Sequence, residues 1–304
     1  MILHNYKVSP FSEKIRAMFG YTNFAWQSSI SPAAPPRPVV DPLAGGYRKI
    51  PVAQIGADIF CDTRIISAEV AKLVAKPELD TANCSKEIQQ FVAQTDGPMS
   101  TAVFICGTPL HMALMIFTNF TPWEAARLGK DRANVANTMT GKRLSPRKAK
   151  PMVVAFVLDL ENKLSEHDFL FGDTPTIADF SAFHLIWFGG KTQGFGFISK
   201  APKLHQWFKR ISKMGHGDKT TISKSQVFAQ ARDSEPRAIA PQLACGEWVG
   251  KTIEIKPNDY AQDSVIGEVV GSDDFRWVIA RQTSDFGTLH VHFPKQGYDV
   301  SARD

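Results

Sequence analysis

The sequence predicts an α+β protein of several parts, with a mixed strand-and-helix beginning, an all-helical middle and a small all-β end. Three observations predict this fold class. Strand and helix patterns alternate over residues 1–75, apolar residues recur at helical spacing over 84–214, and apolar and polar residues alternate with period two over 243–304. The 304 residues suffice for two domains and a smaller third unit.

The N-terminal part of the chain, positions 1–75, predicts the order β-α-β-loop-β-β-α. Residues 2–5 form a short apolar strand, and Ser9-Pro10 then supply a cap and a first-turn proline for a helix. Residues 24–30 predict a second strand, which a proline-rich loop follows. A hairpin is expected over residues 51–61, and helical spacing returns at Thr63.

The helical middle shows its clearest apolar stripe over residues 152–164, and its last helix is expected over 201–214. Polar residues and two prolines then indicate a linker over 215–242, with one short helix near 223–232. The five strands predicted within 243–304 form a small β domain that we expect to lean on the helical part. Few contacts should cross the linker, so truncation after Arg237 is expected to leave a folded protein.

The charge distribution gives little indication of a nucleic-acid-binding protein. Lys and Arg number 35 against 30 Asp and Glu, and the excess is spread along the chain. The densest basic stretch, residues 142–150, indicates a solvated connection, with a polyanion site as the alternative. Because residues 251–304 hold no basic cluster, nucleic acid is not an expected partner.

Cysteine spacing and hydropathy point to a reducing compartment. The four cysteines show no C-x-x-C pair, so neither a metal site nor a disulfide framework is predicted, and Cys61 is expected in the core. The N-terminus lacks the features of a signal peptide, and no apolar run in the sequence has the length of a membrane-spanning helix. We therefore expect a cytoplasmic protein without a membrane partner.

Three motifs follow one another in an order that resembles a known family. They are Ser9-Pro10-Phe11-Ser12-Glu13-Lys14-Ile15-Arg16, then Lys49-Ile50-Pro51-Val52 with Asp62-Thr63, and finally Phe169-Leu170-Phe171-Gly172-Asp173-Thr174-Pro175-Thr176-Ile177-Ala178-Asp179-Phe180. Together they resemble the cytosolic glutathione transferase superfamily, of the serine type and bacterial-like. The resemblance covers about residues 1–215, whereas the end of the chain is similar to an appendix that some bacterial transferase-like proteins carry.

This resemblance implies a thioredoxin-like domain over 1–75 and an all-helical domain over 84–214. It also implies glutathione as co-substrate, a detoxifying transferase activity on a small electrophile, and a homodimer. The most specific motif, Thr176-x-x-Asp179, is a capping box that starts a buried helix in this family. It identifies the fold and carries no chemistry.

The resemblance also implies a glutathione site built from Lys49, Ile50, Pro51, Asp62 and Thr63. The Ile50-Pro51 bond is a candidate cis peptide whose preceding residue pairs with the extended ligand, an ordinary trans proline being the alternative. The hydroxyl and amide of Thr63 at a helix N-terminus suit the γ-glutamyl carboxylate, while Asp62 suits its ammonium group. Alternatively, Thr63 serves only as a cap.

Ser9 is the candidate catalytic residue. It stands where this family places serine, cysteine or tyrosine, and its hydroxyl could donate to the glutathione sulfur and favour the thiolate. The alternatives are that Ser9 only caps its helix, or that Tyr6 or Ser12 is the donor. Lacking a neighbouring base, Ser9 is not expected to act as a nucleophile itself.

Candidates for the second-substrate pocket are Phe11, Phe104, His111 and Met115, although such a stripe is also typical of core packing. In the C-terminal part, His290 and His292 share one strand face and are expected at the surface without a metal. The aromatic residues of this part, Phe275, Trp277 and Phe293, are expected to form a small core.

Two functions follow from the sequence. The first is glutathione conjugation to small electrophiles. The second is a non-catalytic binding or scaffolding protein with the same fold, in which the β appendix carries an interaction. Ser9, Pro51 and Thr63 favour the enzyme, whereas the weakly predicted helix in residues 32–47 favours caution.

Overall fold

The computed structural model describes the backbone of residues 1–138 and 144–303, with side chains described for 1–135 and 144–303. Lys142 and Arg143 of the basic stretch lie outside the described residues. The strands in the described ranges are β1 (Ile2–Asn5), β2 (Ala25–Ile30), β3 (Val52–Ile55), β4 (Asp58–Cys61), β5 (Asp218–Thr221), β6 (Thr252–Pro257), β7 (Val265–Ser272), β8 (Arg276–Thr283), β9 (Gly287–Pro294) and β10 (Tyr298–Ala302). The helices are α1 (Pro10–Tyr21), α2 (Val40–Ala44), α3 (Thr63–Leu73), α4 (Lys86–Gln94), α5 (Ser100–Ile105), α6 (Pro109–Asn119), α7 (Pro122–Thr138), α8 (Pro146–Lys163), α9 (Ile177–Gln193), α10 (Pro202–Lys213) and α11 (Lys224–Arg232).

The N-terminal half confirms the predicted order of strands and helices. In its four-stranded sheet, β1 pairs with β2 in parallel and with β3 in antiparallel fashion, and β3 pairs with β4 across a two-residue turn. This is the expected thioredoxin-like arrangement. One difference is α2, a five-residue helix that ends at Gly45 in the left-handed conformation and occupies part of the expected loop.

The middle of the chain is helical, as predicted, and α9 runs through its centre. Helix α9 is apolar on all sides and largely buried, packing against α1, α5 and α6. The capping box is present: Asp179 accepts the Thr176 amide at 2.9 Å. Asp179 also accepts the Trp207 indole N–H at 3.0 Å, which ties the start of α9 to α10.

The apolar stripes predicted on the helices of this part are buried. The stripe of α8 and the residue after it contribute Val153, Phe156, Val157, Leu160 and Leu164, and α10 contributes Leu204, Trp207 and Ile211. Within the described ranges, no single helix has the length and apolar character to cross a bilayer. The segments Lys86–Ile105 and Pro109–Asn119 satisfy both criteria only as a pair, which is bent by 101°.

Within the described ranges, the C-terminal strands pack chiefly against the N-terminal sheet rather than against the helical part, contrary to expectation. They extend the N-terminal sheet, because β9 pairs in parallel with β4 through Asp58↔His290 and Phe60↔His292. All ten described strands form one sheet in the order β10-β6-β7-β8-β9-β4-β3-β1-β2-β5. The unpaired backbone edge of β4 explains this pairing, since an exposed edge accepts another strand.

The expected linker also contains a strand. β5 pairs in parallel with β2 through Ala25↔Asp218 to Ser28↔Thr221, and so protects the opposite edge of the thioredoxin-like sheet. The predicted short helix near 223–232 is present as α11. No pattern in the sequence predicts β5, because Asp218–Thr221 is polar and lacks apolar alternation, and in the structure this strand is exposed. The division into 1–75, 84–214, 215–242 and 243–304 as folding units stays a prediction.

The N-terminal sheet and the C-terminal strands share one apolar core. Its N-terminal members include Ile2, Val40, Leu43, Tyr47, Val52, Ile59 and Cys61, and its C-terminal members include Ile253, Val265, Ile279, Leu289, Val291 and Phe293. Cys61 is therefore in the core, as expected. Trp277 and Phe293 are buried, whereas Phe275 is exposed because it precedes β8 in a turn. The expectation that few contacts join the two parts is wrong.

Strands β6–β10 curl on themselves. β9 and β10 stand at opposite ends of the order β10-β6-β7-β8-β9, which on a flat sheet separates them by about 19 Å. The chain from Pro294 to Tyr298 reaches at most about 14 Å. The five strands therefore curl until β10 comes near β9, and the Phe293 and Tyr298 rings lie 5.7 Å apart. The turn between β9 and β10 lies beside the start of α3, where Arg64 donates to the Gln296 carbonyl.

A buried polar cluster joins β4 to β9. His292 contacts Asp58 at 2.8 Å and stacks on Phe60, with ring centroids 4.5 Å apart. Arg237 pairs with Asp58 at 3.3 Å and with Glu69 at 2.5 Å. Burial lowers the pKa of His292, against the opposing effect of Asp58. The expectation of two surface histidines is wrong for His292, because pairing of β9 with β4 turns its ring toward the sheet seam.

Candidate functional site

Sheet topology brings the candidate residues to one end of the N-terminal strands. This edge, at which β1 and β4 finish, is distinct from the side of β4 that pairs with β9. Register aligns His4, Val52 and Cys61 across β1, β3 and β4. β1 and β4 run toward this edge and β3 runs away from it. Ser9 after β1, Ile50 before β3 and Thr63 after β4 therefore emerge together.

Ser9 caps α1, as predicted. It is only 1% exposed, and its hydroxyl oxygen accepts the Ser12 amide at 3.2 Å. Its hydroxyl proton has no acceptor among the described residues, so it remains available for donation. Of the alternative donors, Ser12 is fully buried with an unpartnered hydroxyl, and Tyr6 packs against the core shared with the C-terminal strands.

The Ile50–Pro51 peptide is cis, which confirms the prediction. The N–H and C=O of Ile50 make no hydrogen bond to any residue within 1–138 or 144–303. Each backbone group of this kind seeks a partner, from protein, water or ligand. The segment before β3 therefore offers one donor and one acceptor to an extended peptide.

Asp62 and Thr63 form the start of α3. Asp62 has a positive φ of 79° and accepts the Arg64 amide at 3.0 Å, while the Arg64 guanidinium binds both carboxylate oxygens at 3.1 Å. Burial raises the pKa of Asp62, but the charge and hydrogen bonds of Arg64 outweigh burial and hold the pKa at about 2. Thr63 is 6% exposed, and its hydroxyl makes no hydrogen bond to the described side chains or backbone.

Residues of the C-terminal strands complete this surface. The Tyr298 hydroxyl donates to Asp62 at 3.3 Å and lies 2.7 Å from the Tyr47 hydroxyl. Lys49 pairs with Asp259 at 2.6 Å, and its ammonium group stands 4.4 Å from the centre of the Tyr260 ring. Both charged residues of the predicted glutathione site thus already have protein partners.

An aromatic wall lies between the N-terminal and helical halves. The Phe11 ring meets Phe104 edge-on at 6.2 Å and lies 5.1 Å from the His184 ring. Phe104 in turn meets Phe188 at 4.9 Å. This wall could hold the apolar part of a second substrate.

Comparison with known proteins assigns the chain to a family. Residues 3–78 match the family model described as the glutathione S-transferase N-terminal domain, and residues 136–214 match the model of the C-terminal domain. The chain belongs to the glutathione S-transferase superfamily. No curated protein was found to match it.

Among solved structures, the chain is similar to a GST-like protein from Pseudomonas syringae. The two share 28% identity with a TM-score of 0.79, over 99% of this chain and 98% of that one. The likeness therefore includes the C-terminal strands. A glutathione S-transferase from Rhodospirillum rubrum (14% identity, TM-score 0.48) and poplar glutathione transferase F1 (14%, 0.46) each match 69% of this chain, and 87% and 91% of their own.

Within this transferase fold, the predicted residues separate into two groups. The first group lies at the end of the sheet where β1 and β4 finish, and it comprises Ser9, Ile50, Pro51, Asp62 and Thr63. Near it, the Phe11 ring contacts Phe104. His111 and Met115 lie on α6 beyond the sharp bend after α5, where His111 contacts the Thr108 hydroxyl at 2.8 Å. The place of His111 and Met115 in a second-substrate pocket stays a prediction.

Sequence reasoning missed the residues that pair with the charged groups of the site. These are Arg64, Asp259, Gln296 and Tyr298. Arg64 directly follows the Asp62-Thr63 motif and could have been found as a local partner. The others belong to the C-terminal strands and their loops, far from the motif along the chain, and no local pattern relates them to the site.

Proposed function

We propose that this chain binds glutathione at the edge formed by Ser9, Ile50 and Thr63, and that it conjugates the thiol to small electrophiles. The observation that carries the proposal is the unpartnered N–H and C=O of Ile50 beside two helix N-termini. An extended cysteinyl residue needs one backbone acceptor and one donor, which Ile50 supplies. The Thr63 hydroxyl and the first-turn amides of α3 that Asp62 does not accept then offer an anion site to the γ-glutamyl carboxylate.

The role proposed for Ser9 is to stabilise a thiolate. Its free hydroxyl proton would donate to the sulfur, and the positive end of α1 adds a favourable field. Lowering a thiol pKa from about 8.5 to about 6.5 takes about 3 kcal/mol of preference for the thiolate. The thiol proton passes to solvent, the sulfur forms a bond to the electrophilic carbon, and the leaving group departs with the bonding pair.

The second substrate is proposed to bind against the aromatic wall of Phe11, Phe104 and Phe188. The edge-on packing of these three apolar rings suits an apolar electrophile of modest size. Phe11 belongs to the first turn of α1 and so links this wall to Ser9 through a short stretch of chain.

A second candidate function is glutathione binding without turnover. The observation that favours it is the burial of Ser9 together with the protein partners of Lys49 and Asp62. A covered site of this kind suits a protein that holds its ligand, or answers to it, more than one that releases product rapidly.

The test compares Ser9→Ala with Ser85→Ala. Ser85 is the exposed cap of α4 and accepts the Ile88 amide at 3.3 Å, so its loss removes the same type of cap far from the site. We expect Ser9→Ala to lower the rate of conjugation to 1-chloro-2,4-dinitrobenzene at least 10-fold, with the glutathione Kd within a few-fold. Ser85→Ala should keep the rate.

Three results would redirect the proposal. Full activity of Ser9→Ala between pH 6 and 8 would leave Ser9 as a cap only, and the donor would then be sought at Tyr6 or Ser12. Calorimetric binding of glutathione without any conjugation would favour the second candidate. Absence of binding by the folded wild-type protein would remove both functions.

A further inference from the structure

Two C-terminal segments reach the proposed glutathione site. The first, called here the cover loop, comprises residues 258–264 between β6 and β7. The second is the turn of residues 295–297 between β9 and β10. The cover loop contacts Lys49, which directly precedes Ile50 in the sequence. The turn contacts Arg64 of the Asp62–Arg64 pair, which lies near Ile50 in space.

The cover loop places a carboxylate on Lys49. The Asp259 Oδ1 atom lies 2.6 Å from the Lys49 ammonium group, which also faces the Tyr260 ring. The Asp259 side chain is 54% exposed, so solvent screening leaves this ion pair weak. A carboxylate brought by a ligand can therefore exchange with Asp259 at little cost.

The turn acts on the other charged residue of the site. Arg64 binds Asp62 through two parallel hydrogen bonds and donates to the Gln296 carbonyl at 2.6 Å. A side chain at Gly297 would stand 3.1 Å from this guanidinium, so glycine permits the close approach. The chain itself thus supplies the cation on Asp62 that a ligand ammonium group would otherwise supply.

The cover loop is held in a defined position. Ala261 has a φ of 52° and is 6% exposed, a conformation that is unfavourable for a non-glycine residue and persists where surrounding contacts impose it. Asp263 also lies 3.9 Å from Arg48, whose other partner is Asp131 of α7. The loop therefore contacts the two cations that immediately precede Ile50.

We propose that the cover loop is a built-in competitor of the ligand, in which the Asp259 carboxylate holds the place on Lys49 that the glycyl carboxylate of glutathione takes on binding. The inference rests on the proposed function and adds the residue that sets the affinity. Glutathione has a carboxylate at one end and an ammonium group and carboxylate at the other. The chain places the Asp259 carboxylate on Lys49 and the Arg64 guanidinium on Asp62. These are the charges that such a ligand would itself bring to the same two residues.

The test is calorimetric titration of glutathione into Asp259→Asn, with Asp285→Asn as the matched control. Asp285 is an exposed carboxylate in the turn between β8 and β9, away from Lys49. We expect Asp259→Asn to bind glutathione about two- to five-fold more tightly than wild type, and Asp285→Asn to match wild type. Adding Lys49→Gln to Asp259→Asn should cancel the gain, because the gain depends on a freed cation.

The possible outcomes separate this proposal from the proposed function. If wild type binds glutathione and Asp259→Asn binds no more tightly, the competition is wrong and the glutathione site stands. If neither folded protein binds glutathione, the proposed function fails and the competition falls with it. A gain that survives Lys49→Gln would also overturn the role given to Asp259.

Hydrogen exchange gives an independent readout on the wild-type protein. Displacement of the cover loop predicts faster amide exchange at residues 258–264 when glutathione is saturating. Slower exchange in the same amides would show that the loop closes over the ligand as a lid, which contradicts competition.

Discussion

The N-terminal part of the chain makes two different contacts. It meets the helical half through α1 and its aromatic residues, and it meets the C-terminal strands through the backbone edge of β4 and the Asp58 carboxylate. Phe11, Phe104 and His184 form much of the first contact, where the Phe11 ring lies 6.2 Å from Phe104 and 5.1 Å from His184. The second contact combines a parallel strand ladder, a shared apolar core and the His292–Asp58–Arg237 cluster.

The difference lies in how each contact tolerates movement. The apolar burial that drives the ring contacts is non-directional, so these rings can adjust when a ligand enters between the two halves. Strand pairing fixes the register, because a one-residue slip turns every side chain to the other face. We infer that the helical contact serves as the substrate side of the site, whereas the strand contact sets the position of the residues that hold the ligand's charged ends.

The largest expected effect comes from truncation after Arg237. Removal of β6–β10 exposes the β4 edge and half of a shared core that includes Ile59, Val291 and Phe293. We expect loss of cooperative folding, observed as aggregation in gel filtration and a missing thermal transition in circular dichroism. A chain ending at Ala302 is the control and should melt like wild type. A soluble, folded and glutathione-binding truncation would show that the strand contact is dispensable.

The next effect concerns pH and the histidine in the helical contact. Burial lowers the pKa of His184 to about 4 from an ordinary 6.5, and its Nε2 atom has no partner in the described part of the chain. Since the unfolded chain takes up this proton first, the stabilising contribution is present above pH 6.5 and is lost as pH falls to 4. The loss amounts to about 3 kcal/mol.

His184→Phe keeps the ring beside Phe11 and removes this titration. Urea unfolding at pH 7 and at pH 4.5 should therefore show a smaller loss of unfolding free energy in the variant than in wild type. His167→Gln, at an exposed histidine, is the control. Equal losses in wild type and His184→Phe would place the acid sensitivity elsewhere, including the strand contact.

Asp58→Asn tests the strand contact at a single residue. Asp58 is buried and is the shared partner of His292 and Arg237. We expect a loss of about 2 kcal/mol in unfolding free energy, below the full cost of breaking a buried pair because Arg237 keeps access to water. Asp285→Asn should leave stability unchanged. A neutral Asp58→Asn would mean that backbone pairing alone secures β9.

The smallest effect is expected from Thr63→Val, which alters the ligand site and leaves both contacts in place. Loss of one hydrogen bond to the γ-glutamyl carboxylate should weaken glutathione binding by about 1–2 kcal/mol in a calorimetric titration. Thr63→Ser, which keeps the hydroxyl, is the matched control. An unchanged Kd for Thr63→Val would place the γ-glutamyl group elsewhere.

Local patterns predicted much of the fold and part of the site. The Ser9-Pro10 cap, the 51–61 hairpin and the Thr176–Asp179 box each depend on residues within a few positions, and the structure contains all three. β5 escaped prediction because an exposed polar edge strand has no apolar alternation.

The sequence by itself determined most of the helices and strands and the residues that start α1 and α3, because caps, turns and periodicity are local properties of the chain. Only the tertiary structure decided that the last five strands join β4, since any exposed strand edge satisfies the same backbone hydrogen bonds. That pairing buried His292 and brought Asp259, Gln296 and Tyr298 to a site built from the opposite end of the chain. Charge pairing of this kind depends on distances in space, which no local pattern contains.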